Sequence, residues 1–311
     1  MLSRRLLLAC TICLLFSATA SVRGADESGA MYVVRFPAFA KVGERTKEAL
    51  RAKQEIKRRV LQGEEVVFSQ ELTNFIEIDA VVEVLELSER GQPVKSSYVV
   101  DRAVVKTKER EIPILPEGAE FIAEAGEEGT TFTGPDGKAL PEVAQQTLPR
   151  VISFDTEDAT IDDLYGSDTP RSVGDSWNAD DKQALLAMAK AHNAKVDEDG
   201  VEGTATLVAA REVDGETLLD IEIKTELKQM IRPSPFPDAE PESAEVTILQ
   251  KVTMPADYTK GPLSQSHTLS VRQILRGKEG TRMEGQTLDG TTSETRSETY
   301  ELLPSGGGDA R

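Results

Sequence analysis

Cysteine is almost absent from this chain of 311 residues, which has only Cys10 and Cys13. Both lie in an N-terminal stretch in which two arginines precede an apolar run and then a group of small residues. This order is typical of a secretory signal peptide, which we predict over residues 1–20, with cleavage near residues 20–25. The mature chain then contains no cysteine, so a hydrophobic core rather than disulfides must hold it together.

Two other export signals fit the same stretch. Leu7–Cys10 resembles a lipid-attachment box, but only four residues separate Arg5 from Cys10, and a signal core needs about seven or more. Ser3–Leu7 resembles a twin-arginine signal, which exports proteins that are already folded. The export route therefore stays open between the general secretory and twin-arginine systems. Either route leads out of the cytoplasm, to the periplasm, the cell envelope or the extracellular medium.

Long apolar runs, basic surfaces and histidines are also scarce. After the signal peptide no segment approaches the ~20 apolar residues of a membrane-spanning helix, so we predict no transmembrane segment in the mature chain. The net charge of −18 argues against nucleic acid as a partner, because phosphate binding needs a basic surface. His192 and His267 are the only histidines and lie far apart, so we predict no zinc or iron centre and no cofactor.

Alternating apolar and polar residues dominate what is present. The alternation is clearest over residues 66–87 and 218–227, and glycine-containing turns separate many of the strand-like segments. The sequence therefore predicts a mainly β or α+β fold of curved antiparallel sheets with two or three packed helices. One of these helices is expected over residues 182–192, capped by Asp180 or Asp181.

The segment 45–61 is ambiguous. It is rich in lysine and arginine in an otherwise acidic protein, and Ala49, Ala52, Ile56 and Val60 recur at helical spacing, which predicts an amphipathic helix. The period-two alternation of part of the same segment also fits a strand, and the sequence alone leaves both open.

The chain divides into two similar halves. Proline and acidic residues concentrate at 141–170, which we interpret as a linker between β-rich subdomains at 31–140 and 171–303, with a flexible tail at 304–311. Each half has a Val-Gly-acid step, a helix-like segment and a long hairpin. This similarity between the two halves favours the hypothesis of a duplicated, half-barrel-like unit.

Two clusters could carry chemistry. Ser176 follows Gly-Asp as in a family of hydrolases, but the expected Asp-x-x-His is missing, since Ser264 stands three residues before His267. The acidic run offers oxygen ligands for calcium, although Thr160 occupies the place of the required glycine. The calcium candidates are Asp155, Glu157, Asp158, Asp162 and Asp163.

Val173–Trp177, followed by an acidic pair and Ala184–Leu186, resembles a motif of uncharacterised exported bacterial proteins known mostly from planctomycetes. The likeness covers the second half well and the first half loosely. It implies a secreted, sheet-rich scaffold with no assigned reaction. The architecture is also similar to that of half-barrel lipoprotein carriers, which hold acyl chains in a cavity.

These observations favour a non-enzymatic exported envelope protein that binds an apolar ligand between sheet and helix, with a lipid or an envelope protein as partner. The residues expected to line the cavity are Trp177, Leu185, Leu186 and Met188. The alternative is a structural or protein-interaction module, and the least favoured function is a hydrolase that uses Ser176. The sequence determines neither the ligand nor the oligomeric state.

Overall fold

The computed structural model describes residues 29–36, 40–126, 129–154, 160–181, 185–186, 200–230 and 236–303. The predicted signal peptide, the predicted tail and most of the predicted helix 182–192 lie outside these residues. The first part of the chain contains β1 (Tyr32–Val34), β2 (Arg45–Gln62), β3 (Glu65–Leu87), β4 (Pro93–Lys106), β5 (Glu111–Leu115), β6 (Glu120–Gly126), β7 (Gly129–Thr133), helix α1 (Glu142–Thr147) and a 3-10 turn (Leu148–Arg150). The second part contains helix α2 (Ile161–Tyr165), β8 (Ser167–Arg171), β9 (Ser176–Asn178), β10 (Val201–Val213), β11 (Glu216–Met230), β12 (Ala239–Pro255), β13 (Ser264–Gly277) and β14 (Gln286–Leu302).

One large antiparallel sheet dominates the described part of the chain. Its strand order is β7-β6-β4-β3-β2-β14-β13-β12-β11-β10-β9, with β5 paired to β4, while β1 and β8 form a separate pair. Successive strands from β9 to β14 are added side by side from one edge of the sheet to its centre. The strands from β2 to β7 continue in the same direction from the centre to the other edge. The prediction of a mainly β fold with curved antiparallel sheets is confirmed.

The centre of this sheet corrects one prediction. Residues 45–61 belong to strand β2, so the predicted amphipathic helix is wrong and the strand alternative is confirmed. Strand β2 is hydrogen-bonded to β3 on one side and to β14 on the other. These pairings satisfy its backbone across the sheet, so tertiary context overrides the helical propensity of its residues. Leu50 and Ala52, two positions apart, are its buried side chains, as a strand requires.

Two hydrophobic clusters lie along the sheet. The N-terminal core gathers buried side chains from β2 to the 3-10 turn, among them Ile78, Phe121 and Leu148. The C-terminal core gathers Val34 and buried side chains from α2 to β12, among them Trp177 and Ile221. Residues 141–170 contribute to both cores. Strands β2 and β14 pair and so join both halves into one sheet. The division into two subdomains stays a prediction.

Leu185 and Leu186, within the predicted helix 182–192, have helical backbone and are buried in the C-terminal core. Leu185 packs over Gly203 of β10, where a Cβ atom would clash with the Tyr165 hydroxyl and would stand 2.9 Å from Leu185 Cδ1. Glycine allows this close approach, so the absence of a side chain at 203 leaves room for Tyr165 and Leu185 against the sheet.

Candidate functional site

A cleft of about 700 Å³ opens on one face of the sheet, where both halves of the chain meet. Strands β2, β3 and β4 line it from the first half, and β12, β13 and β14 from the second. The segment 151–154 and the first residues of α2 form its other wall. Its apolar lining includes Leu50, Val82, Val84, Ile152, Phe154 and Met254. The volume falls in the range of about 300–1,000 Å³ typical of small-molecule sites.

Strand alternation explains which side chains reach the cleft. In the β3–β4 pair, Val82 lies opposite Tyr98, and Val84 lies opposite Ser96; all four residues line the cleft. Their neighbours in the sequence point to the other face, because successive side chains of a strand alternate. Val99, directly after Tyr98, is accordingly 37% exposed.

Five polar side chains meet in the cleft: Glu48, Tyr98, Gln265, Glu298 and Tyr300. We call them the acid–tyrosine cluster. The Gln265 amide nitrogen donates hydrogen bonds of 2.7 Å to Glu298 Oε2 and of 2.7 Å to the Tyr300 hydroxyl. The Tyr300 hydroxyl in turn donates to Glu298. Tyr300 pairs with Glu48 across the β14–β2 ladder. This pairing brings together Glu48 from the early strand β2 and Glu298 from the last strand, β14.

Burial dominates the electrostatics of this cluster. Loss of water raises the pKa of Glu48 to about 7, and the nearby Glu298 carboxylate adds to the shift, while a hydrogen bond of 2.8 Å from the Thr46 hydroxyl opposes it. Burial, followed by the charges of Glu48 and Glu298, also raises the pKa of Tyr98 well above its ordinary value. The Glu48 carboxyl group therefore sits in a poorly solvated site where negative charge is costly.

Replacing Glu48 by glutamine is expected to stabilise the protein at pH 8 by about 1–3 kcal/mol and to have little effect at pH 4.5. The folded protein keeps the proton of Glu48 up to a pKa of about 7, whereas an unfolded chain releases it near 4.5. Stability is therefore lost as the pH rises from about 4.5 through 7. Urea unfolding at both pH values measures the difference, with exposed Glu301→Gln on the other face of β14 as the control. An equal effect of both variants at pH 8 would contradict the assignment.

Ion pairs occupy the rim of the cleft. Arg90 pairs with Asp163 at 2.8 Å, and Arg35 pairs with Asp162 at 3.3 Å. Asp163 also caps helix α2 through a reciprocal pair of hydrogen bonds with Thr160. These contacts give two of the calcium candidates structural partners. Asp155, Glu157 and Asp158 lie outside the described residues, so the calcium site stays a prediction. Within the described ranges no group of three or more histidine, cysteine, aspartate or glutamate side chains could hold a metal ion.

The residues that the sequence suggested for a ligand cavity lie elsewhere. Trp177, Leu185 and Leu186 are packed in the C-terminal core and do not line the cleft. The Trp177 indole N–H donates a hydrogen bond of 2.9 Å to the backbone oxygen of Tyr165. The fourth candidate, Met188, lies outside the described residues.

Ser176 has surroundings unlike those of a catalytic nucleophile. Its hydroxyl lies 2.8 Å from that of Thr206, on the exposed edge strand β9. His267 is on β13, with β10, β11 and β12 between them, a distance of roughly 19 Å at about 4.8 Å per strand. His192 lies outside the described residues. A serine–histidine pair with His267 is therefore not assembled.

Sequence reasoning missed the acid–tyrosine cluster. Glu48 shares the period-two face of Leu50 and Ala52, and an acid on a buried strand face is the signal that could have revealed it. This signal becomes visible only when residues 45–61 are recognised as a strand. Glu298 and Tyr300 also occupy alternate positions, but their partners on β2 are far away in the sequence.

No family model and no curated protein matches this chain. Among solved structures, the crystal structure of Pseudomonas aeruginosa OpdQ aligns over 84% of this chain and 98% of that chain, with 8% identity and a TM-score of 0.18. A likeness this weak carries no argument about fold or function. Among the described residues, the helices are too short or too polar to cross a membrane.

Proposed function

We propose that this protein is a non-enzymatic exported envelope protein that binds an apolar ligand in the cleft between the sheet and the segments 151–154 and 160–163. The observation that carries the proposal is the cleft itself, with its volume of about 700 Å³ and its apolar walls. Export rests on the signal peptide predicted over residues 1–20, and the resemblance to exported planctomycete proteins is consistent with it.

The walls of the cleft support an apolar ligand. Val84 on the sheet and Phe154 on the opposite wall border the same open space and are only partly buried, so both keep apolar surface in contact with water. Covering apolar surface stabilises a complex by about 25 cal/mol per Å² removed from water. A ligand that fills the cleft would shield both walls at once. A structural module, by contrast, needs no such space.

Filling the cleft tests this function. Val84→Trp places an indole in the cleft, and we expect it to weaken binding of the neutral fluorescent probe N-phenyl-1-naphthylamine by about tenfold or more. Val81→Trp adds the same group to the same strand on the opposite face, and we expect affinity within about twofold of the parent. Native mass spectrometry of the purified protein should also detect a bound lipid in the parent and lose it in Val84→Trp.

The result that overturns the proposal is equally specific. If the parent protein binds neither the probe nor a co-purified lipid, the cleft is not an apolar binding site and the interaction-module alternative gains support. Equal affinity in Val84→Trp and Val81→Trp would place any bound probe elsewhere. Far-UV circular dichroism of both variants ensures that the comparison concerns folded protein.

The meeting of Glu48 and Glu298 favours a second candidate function, acid–base hydrolysis. Glycoside hydrolases use two carboxyl groups, one of which keeps its proton near neutral pH. The pKa of Glu48, about 7, suits a proton donor. The apolar walls offer few hydrogen bonds to a sugar, so binding remains the first proposal. Hydrolysis of nitrophenyl glycosides by the parent, lost in both Glu48→Gln and Glu298→Gln, would establish this second function; its absence would exclude these substrates.

A further inference from the structure

We propose that the acid–tyrosine cluster recognises a cationic head group, so that the ligand of the cleft is an amphiphile with an ammonium group at one end. This inference rests on the proposed binding function and names the class of ligand. Three observations carry it: the charge balance of the cleft lining, the hydroxyl of Tyr98 and the position of the apolar walls.

The charge of the lining favours a cation. Among the described residues that line the cleft, Arg90 is the one basic side chain, and its guanidinium is paired with Asp163 at the rim. The carboxyl groups of Glu48 and Glu298 are hydrogen-bonded to neutral groups, namely Thr46, Gln265 and Tyr300. Acids withdrawn from water are stabilised by a nearby opposite charge. A ligand cation would supply the charge that the lining lacks, whereas an anion would be repelled.

Tyr98 gives an independent indication of a polar ligand. Its side chain is only 5% exposed, lines the cleft, and stacks on Phe121 with ring centroids 4.7 Å apart. No hydrogen bond of its hydroxyl is found within the described part of the chain. Because no buried side-chain nitrogen or oxygen among the described residues lacks a hydrogen-bond partner, this hydroxyl oxygen is accessible from the cleft, where it can accept an N–H bond from a ligand. Tyrosine rings also attract cations through their π faces.

The apolar lining determines the rest of the ligand. Leu50 on β2 directly faces Glu298 across the ladder, and Val82 faces Tyr98, so apolar and polar groups adjoin on the same face. Met254 of β12 extends the apolar surface into the second half of the sheet. An ammonium group at the cluster would therefore leave a hydrocarbon chain against these walls.

The test compares three ligands with the same ten-carbon chain: decyltrimethylammonium, 1-decanol and decyl sulfate. Each displaces N-phenyl-1-naphthylamine from the purified full-length mature protein, at concentrations below micelle formation. We expect the cation to bind about tenfold more tightly than the alcohol, and the sulfate more weakly than either. The preference for the cation over the alcohol should grow between pH 6 and pH 8, as Glu48 loses its proton.

Matched variants locate the recognition. Glu298→Gln should abolish most of the preference for the cation, while Glu301→Gln, which removes the same charge from the exposed face of β14, should retain it. Tyr98→Phe keeps the ring and removes the hydroxyl. Decyltrimethylammonium has no N–H group, whereas a further ligand, decylammonium, has three N–H donors. Tyr98→Phe should therefore weaken the binding of decylammonium and leave that of decyltrimethylammonium unchanged. Glu301→Gln should also bind the neutral probe as the parent does.

The outcomes separate the inference from the proposed function. If the neutral probe binds but the cation has no advantage over the alcohol, the inference is wrong and the apolar-binding function stands. The inference is also wrong if Glu298→Gln and Glu301→Gln lower the preference equally, since that indicates attraction to the overall negative charge. If no ligand binds to the parent, the proposed function fails as well.

Discussion

Replacing Phe121 by alanine is expected to lower the free energy of unfolding by about 3–5 kcal/mol. Phe121 is 1% exposed in the N-terminal core, stacks on Tyr98 and lies with its ring centroid 6.3 Å from that of Phe132. Its removal leaves a cavity among side chains that belong to a rigid sheet and cannot collapse fully. Urea unfolding followed by far-UV circular dichroism measures the loss.

Val99→Ala on the same sheet is the control for this variant. Val99 is 37% exposed on the opposite face of β4, so we expect a change of less than about 1 kcal/mol. A loss of similar size in both variants would show that Phe121 does not occupy a close-packed core.

The same experiment bears on the domain organisation. The chain has one tryptophan, Trp177, which lies in the C-terminal core and reports on that half by fluorescence. If the sheet unfolds as one unit, Phe121→Ala shifts the fluorescence and dichroism transitions together. A fluorescence transition that stays in place would support independent subdomains at 31–140 and 171–303.

Replacing Trp177 by alanine is expected to cost about 3–5 kcal/mol in the other core. The indole is 8% exposed, its N–H donates to the backbone of Tyr165, and the Arg171 guanidinium lies 5.0 Å from the ring centroid. Alanine removes the packing, the hydrogen bond and the cation–π contact together. Because the fluorophore is lost, far-UV circular dichroism in urea measures this effect.

Trp177→Phe separates these contributions. Phenylalanine keeps an aromatic ring but leaves the Tyr165 carbonyl oxygen without its donor, so we expect a smaller loss of about 1–3 kcal/mol. Equal losses in the two variants would mean that the hydrogen bond, and not the packing of the ring, accounts for the stability.

Much of the fold could be predicted because alternation is a local signal. The strand expected over residues 218–227 lies within β11, and the one expected over 66–87 matches β3. Buried and less buried side chains alternate with a period of two over residues 76–82 of β3 and 219–227 of β11, and this local pattern can be read without knowing any distant contact. The turn at Val213–Gly215 is also a local signal, because an Asp-Gly pair favours the positive φ that Asp214 and Gly215 both adopt.

The cleft could not be predicted in this way. It depends on β14 lying beside β2, a pairing between distant parts of the chain that alternation does not encode. Without it Glu48 and Glu298 have no reason to be neighbours, and Trp177 and Leu185 remain the natural candidates for a cavity. The sequence correctly marked these two as apolar, but a buried side chain can fill a core as well as line a site.

The pairing of β2 with β14 has a consequence for the folding of the protein. In a chain that emerges N-terminus first, β2 is complete early. The edge of β2 that pairs with β14 then stays unpaired until almost the whole chain has emerged. An unpaired edge invites strands from other molecules, and charged side chains, lysine above all, discourage such association. Lys53, Lys57, Arg58 and Arg59 lie on this strand. We therefore expect the basic side chains of β2 to discourage aggregation of a sheet whose last strand has not yet paired.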